Sequence, residues 1–436
     1  MTVVARVMAA LADRYPSESA MAPDLDRITR LMDLLGSPQL AYPSIHLTGT
    51  NGKTSTARMV DVLLQANGLR TGRFTSPHLD SPTERICLDG IPLSEVRFGE
   101  VFDEIEPYLA LVDDPVRATF FEVLTAMAFA AFADAPVDVA VLEVGLGGRW
   151  DATNVVAAPV AVVLPIGLDH VEYLGGTVAQ IAAEKAGIIH PGATAILASQ
   201  PPEAAEVLLR HAAEVGATVA REGLEFGVVE RRTAVGGQLL DVQGLHARYD
   251  EVFLPLHGPH QAMNAAAALA AVEGFLGRPL SAEVVRDGFA RATSPGRLEV
   301  VRSSPTVLVD AAHNPAGMAA SVAALLDAFT FTDLVAVVAV LGDKDARGML
   351  ELLEPVVSSV VVTENSSPRR LPADVLHELA VEVFGADRVS VEDRLDDALD
   401  TAVALADAAG SYGGCGVLVT GSVVTAAEAR RLLSAR

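Results

Sequence analysis

The densest run of chemically capable residues is HLTGTNGKTSTARMV, His46 to Val60. An apolar strand pattern leads there into a glycine-containing loop and then into a helix pattern, which is the context a phosphate-binding loop requires. Gly49, Thr50, Asn51 and Gly52 would let backbone N–H groups approach a phosphate, and the helix that follows would aim its positive end at it. Lys53 supplies a point charge, and Thr54 or Ser55 offers a hydroxyl to Mg2+. Leu47 stands where the strict G-x-x-x-x-G-K-[ST] pattern has its first glycine, so the loop is a variant.

Such a loop needs a sheet to carry it. Short β-rich apolar runs alternate with helical patterns, the signature of βαβ units around mostly parallel sheets. Strands are expected at Ile45 to Leu47, Arg73 to Thr75, Val137 to Glu143 and Val160 to Ile166, with helices at Thr54 to Gln65 and Phe121 to Ala133. A second series has strands at Thr306 to Val309, Leu334 to Leu341, Val356 to Thr363 and Gly416 to Thr420. Ser, Pro and Gly cluster between the two series, which predicts two α/β domains, residues 1–294 and 295–436: an N-terminal P-loop ATPase domain and a smaller, Rossmann-like C-terminal domain. The N-terminal MTVVARVMAALADRYPSE reads as an amphipathic helix.

In doubly wound sheets ligands bind beyond the carboxyl ends of the strands. Three candidates for a metal edge follow such strands: Ser76 in TSPHL, Glu143 after DVAVL, and His170 in LDHVEYLG. A carboxylate on Mg2+ beside a phosphate loop is expected chemistry, whereas a histidine there is more often packed or hydrogen-bonded.

Bulk properties narrow the rest. A formal net charge of -24 argues against nucleic acid, whose phosphates need a basic footprint. The apolar runs fall short of a membrane span, and no cleavable leader is evident, so a cytoplasmic protein is expected. Cys87 and Cys415 are far apart, with neither disulfide nor zinc spacing.

The spelling TGTNGK resembles the Mur ligase superfamily. Further segments resemble its folylpolyglutamate synthase/dihydrofolate synthase branch: TSPHL, ERI at Glu84 to Ile86, EVGLGGRWDATN at Glu143 to Asn154, EKAGI at Glu184 to Ile188, GPHQAMNAAAA from Gly258, PGRLEV from Pro295 and VDAAHNP at Val309 to Pro315. The resemblance implies an ATP-dependent ligase that adds L-glutamate to a pteroate or folate, and a monomer. It implies phosphate binding by Gly52 to Ser55, two Mg2+ sites held by Ser76, Glu143 and His170, and Asn264, Arg297 and Asp310 completing the nucleotide site. The alternatives are a domain-boundary salt bridge for Arg297 and a helix cap for Asp310, while HNP, with His313, could equally be a capped helix start. Asp24 to Arg27, Thr119, Phe120, Phe121, Glu122, Trp150, Asp151 and Ala152 fall on the pterin side, although the two phenylalanines could simply be core. Lys185, in EKAGI, is implied to be carbamylated and, as a carbamate, to bind or orient the metal, the alternative being an ion pair with Glu184 or another acid. GDKD at Gly342 to Asp345 and TGS at Thr420 to Ser422 are candidates for the glutamate region. A Mur-type ligase of UDP-sugars is the principal rival.

Overall fold

A computed structural model describes residues 2–14, 24–113, 116–408 and 414–434. Its contacts divide the chain into two units. One comprises 1–232, 239–255 and 261–293, and the other 233–238, 256–260 and 294–436.

The first unit is built on β1 (Ser44–Thr48), β2 (Thr71–Phe74), β3 (Ile86–Leu88), β4 (Ile91–Pro92), β5 (Val139–Glu143), β6 (Val160–Val163), β7 (Thr194–Leu197) and β8 (Thr218–Arg221). They form one sheet in the order β4-β3-β2-β5-β1-β6-β7-β8. From β2 to β8 every pairing is parallel, and β3 and β4 extend the edge antiparallel. β1 and β5 are buried along their whole length, as inner strands of a sheet covered on both faces must be. That central place puts the loop after β1 beside the ends of β5 and β6.

One face is covered by helices Asp26–Leu34, Glu95–Val112 and Phe120–Asp134. Their core joins Leu31, Met32, Phe98, Phe102, Phe129 and Phe132 to Phe74 of β2, each full side-chain burial being worth about 1.5–3 kcal/mol. The N-terminal helix forms at Val3–Leu11, buries Val7 and Leu11, and is capped by Thr2, whose hydroxyl accepts from Ala5 N. The rest of the helix expected there lies largely outside the described residues. A smaller sheet, in the order β11-β10-β9, follows with β9 (Gly227–Ala234), β10 (Gly237–Gln243) and β11 (Arg248–Leu254).

The second unit carries β12 (Glu299–Ser303), β13 (Thr306–Val309), β14 (Asp333–Val338), β15 (Ser359–Val362), β16 (Val389–Val391) and β17 (Cys415–Thr420), ordered β12-β13-β17-β14-β15-β16. Only the β12–β13 pairing is antiparallel. The expected strand Leu334 to Leu341 stops at Val338; beyond it Leu341 makes an isolated bridge with Arg370, and Gly342 N–H bonds Arg369 O. Among the described residues no helix is long and apolar enough to cross a membrane.

Candidate active site

The loop after β1 takes its shape from its glycines. Gly49 has φ 153°, and a Cβ there would lie 2.6 Å from the Leu164 side chain; Gly52 has φ 86° and begins helix Lys53–Ala66. Both conformations disfavour any other residue. A Cβ on Gly52 would lie 2.7 Å from Asn264 Oδ1, so Asn264 is packed against the loop. Thr50 ties the loop to the segment after β6: its Oγ1 lies 3.1 Å from Gly167 O and accepts Gly167 N–H at 3.0 Å. Lys53 Nζ folds back to donate to Gly49 O (2.9 Å) and Thr50 O (3.3 Å).

Glu143 ends β5 and is 1% exposed. Thr54 Oγ1 donates to its carboxylate, and Ser76 N–H reaches Oε2 at 3.3 Å. The structure therefore brings Thr54, Ser76 and Glu143 together at the carboxyl edge of the sheet. His170 precedes the short helix Val171–Leu174 with φ 50°, and its Nε2 lies 3.9 Å from Asp169 Oδ2. A non-glycine residue held in the left-handed region is strained, a feature that clusters at functional sites.

Lys185, in the last turn of helix Val178–Ala186, is 4% exposed and donates to Gly49 O at 3.1 Å. Burial, and then the nearby Lys53 charge, push its pKa down to about 7, against the pull of Asp169 and Asp151. Among the described residues it makes no ion pair with Glu184, since neighbours on a helix do not face one another. Its amine is directed at the phosphate loop.

The residues expected on the pterin side divide into two groups. Arg27 pairs with Asp24 (3.2 Å) and Glu122 (3.3 Å), and Glu122 and Thr119 form a capping box at the start of helix Phe120–Asp134. Phe120 is buried beneath the Arg85 guanidinium, 5.4 Å from its ring centre, while Phe121 packs on Phe74 at 5.6 Å. Trp150 is half exposed beside the buried Ala152. Asp151 faces inward, its carboxylate accepting from Gly145 N, Leu146 N, Thr153 N and Thr153 Oγ1. Burial raises its pKa, while these donors pull the other way.

In the second unit Asp310 likewise accepts from Ala312 N, Ser321 Oγ and Leu298 N. It organises a turn and caps no helix; Asn314 does that for Pro315–Ala328, accepting from Gly317 N at 2.7 Å. His313 Nδ1 lies 3.1 Å from Ala311 O. The Arg297 guanidinium has no ion-pair partner among the described residues. Asp345 of GDKD caps helix Ala346–Leu353, and Ser422 of TGS joins Asn365 and Thr425 in a buried polar cluster.

Known proteins match most of the chain. The Mur ligase middle domain matches residues 47–272, and the Mur ligase glutamate ligase domain matches 296–423. The chain is 54% identical to the dihydrofolate synthase/folylpolyglutamate synthase of Mycobacterium tuberculosis, over 97% of this chain and 92% of that one. It is 35% identical to the enzyme of the same name from Escherichia coli, over 94% and 92%. A solved structure of Mycobacterium tuberculosis folylpolyglutamate synthase complexed with ADP superposes with a TM-score of 0.96 at 55% identity, covering 99% of this chain and 98% of that one. The chain belongs to the folylpolyglutamate synthase/dihydrofolate synthase family.

In this member of the folylpolyglutamate synthase family, several residues that shape the site were not apparent in sequence. Thr48 Oγ1 donates to Gly147 O at 2.7 Å, joining the end of β1 to the turn after β5. Gly148 is required because a Cβ would lie 2.9 Å from Glu184 O and 3.0 Å from Lys185 O. His46 and Thr153 lie 2.7 Å apart behind that turn. The glycines of GLGGR were a usable signal, since consecutive glycines after a strand mark close backbone approach. A histidine and a threonine in apolar strand and turn positions carried none.

Proposed function

We propose that this chain is an ATP-dependent ligase that forms an amide bond between L-glutamate and the carboxylate of dihydropteroate or of a reduced folate. The observation that carries this reading is the convergence of Lys53, Thr54, Glu143 and Lys185 on a single phosphate loop, in a chain 54% identical to a dihydrofolate synthase/folylpolyglutamate synthase. A carboxylate does not acylate an amine until one oxygen becomes a leaving group. In-line transfer of the terminal phosphate of ATP gives an acyl phosphate, and the glutamate nitrogen then displaces phosphate.

The residues supply positioning and charge. Lys53 exchanges its two loop carbonyls for phosphate oxygens. The N–H groups that open helix Lys53–Ala66 point at the same anion. Asn264, Arg297, Asp310 and His313 are assigned to nucleotide and phosphate handling. The Thr54 hydroxyl and the Glu143 carboxylate, which lie together, with Ser76 and His170, are assigned to Mg2+ at two sites, oxygen donors being what a hard cation takes. Bound Mg2+ would neutralise the charge that develops on the transferred phosphate. Lys185 suits carbamylation: an amine with a pKa near 7 is substantially neutral at neutral pH, and its nitrogen can attack CO2, lose a proton and become an anion. Asp24, Thr119, Glu122, Trp150 and Ala152 are assigned to the pterin side. We read the protein as a cytoplasmic monomer, and the relatives' names weigh against a UDP-sugar ligase.

Incubation with ATP, glutamate and either dihydropteroate or tetrahydrofolate, with products read by mass, tests the proposal. Addition of one glutamate residue to each acceptor is expected. ADP release that needs neither acceptor nor glutamate would sink it.

A further inference from the structure

The turn after β5 is held by polar contacts that phosphate transfer does not itself use. His46 is fully buried in β1, and its Nε2 lies 2.7 Å from Thr153 Oγ1. Thr153 Oγ1 lies 2.5 Å from Asp151 Oδ1. Asp151 also accepts three backbone N–H groups, at 2.9 to 3.0 Å, from Gly145, Leu146 and Thr153. A carboxylate surrounded by backbone donors is an acceptor, so the Thr153 proton points at Asp151. Thr153 Oγ1 must then accept from His46, which requires a proton on Nε2. His46 Nδ1 is buried without a hydrogen-bond partner. The Nε2–H tautomer leaves there only a bare acceptor, whereas the other would bury an orphaned N–H, which is rarer.

The turn in question is wedged between two parts of the site. Thr48 Oγ1 holds Gly147 O, Arg149 N–H donates to Glu184 O at 2.8 Å, and Gly148 leaves no room against Lys185. Asn154 Nδ2 closes the far side, donating to Arg149 O and Gly187 O at 3.1 Å each, while its Oδ1 lies 3.0 Å from His190 Nε2. The turn therefore sets where the Lys185 helix ends relative to Gly49.

We propose that His46, as its Nε2–H tautomer, is a positioning residue that acts through Thr153 and Asp151 to fix the Gly145–Arg149 turn, and with it the Lys185 amine against the phosphate loop. The tautomer follows from geometry alone; the consequence for turnover rests on the ligase reading.

The test uses the full chain labelled with 15N-histidine. The His46 resonances, identified by their loss in His46→Gln, are expected to show a protonated Nε2 and a pyridine-like Nδ1 across neutral pH. Thr153→Val keeps the side-chain shape and deletes the relay. Its kcat should fall about 10- to 100-fold with the KM for ATP little changed, and Thr153→Ser should recover most of the loss. In protein equilibrated with 13C-bicarbonate, a carbamate carbon signal should be present in the wild type and weakened in Thr153→Val. Its absence from the wild type would count against the Lys185 carbamate and leave the tautomer and the kcat split to decide the relay. A His46 Nδ1–H tautomer overturns the inference, as does a folded Thr153→Val with wild-type kcat. Should Thr153→Val fail to fold, the tautomer measured in the wild type decides alone.

Discussion

Thr54 Oγ1 lies 2.9 and 3.0 Å from the two carboxylate oxygens of Glu143, so the first turn of the phosphate-loop helix is bonded to the end of the neighbouring strand. One hydroxyl spans both oxygens. The orientation of the Glu143 carboxylate is therefore set before any cation proposed to bind there arrives.

Glu143→Gln keeps the shape and removes the charge. The Mg2+ concentration for half-maximal activity should rise about tenfold or more, by analogy with the loss of metal-site partners. A titration of initial rate against Mg2+ checks this, and an unchanged midpoint would reduce Glu143 to a structural acid.

Lys53→Ala should lower kcat by about 100- to 1,000-fold, the scale for removing one preorganised charge-stabilising donor. Thermal melting should change little, because the Lys53 amine bonds two carbonyls of its own loop. Mass-resolved product formation in single-turnover reactions measures the loss.

Gly148→Ala should be both destabilised and inactive. The new methyl would meet backbone atoms of Glu184 and Lys185 at 2.9 to 3.1 Å, and backbone cannot turn aside as a flexible side chain can. A loss of about 1–3 kcal/mol is expected, measured by urea unfolding, with ligation falling further than stability alone explains.

Acid should weaken the fold through His46. Burial, reinforced by His190, holds its pKa near 3 against an ordinary 6.5. Between those values the unfolded chain takes up a proton that the folded chain refuses. The stability contribution is therefore complete above pH 6.5 and declines as pH falls toward 3, by up to about 1.4 kcal/mol per pH unit. Urea unfolding at a series of pH values should give a shallower acid slope for His46→Gln than for the wild type.

The parts legible in sequence were those in which residue type and position coincide with a backbone demand. Gly49 and Gly52 announce a loop that only glycine permits, and the apolar runs of β1, β5 and β6 announce buried parallel strands. The sheet β9 to β11 was not legible: GVVERRTA alternates poorly and is half exposed, so its pairing supplies an order that its pattern does not. Helix Glu95–Val112 was hidden partly by Pro107 in its interior. Asp151 shows a different limit. Its place in the family motif was plain, yet which way the carboxylate faces depends on Thr153 and on two backbone N–H groups that no spacing reveals.

The bond from Lys185 Nζ to Gly49 O joins residues 136 positions apart. Contacts of such separation are made late, since closing so long a loop costs chain entropy before any contact repays it. During synthesis the phosphate loop leaves the ribosome well before the strands β5 and β6 that flank it and the helix that brings it Lys185. A nascent chain ending before residue 185 thus carries the complete TGTNGK sequence without the amine that completes its surroundings, and the order of translation places assembly of this site after the sheet has closed around β1.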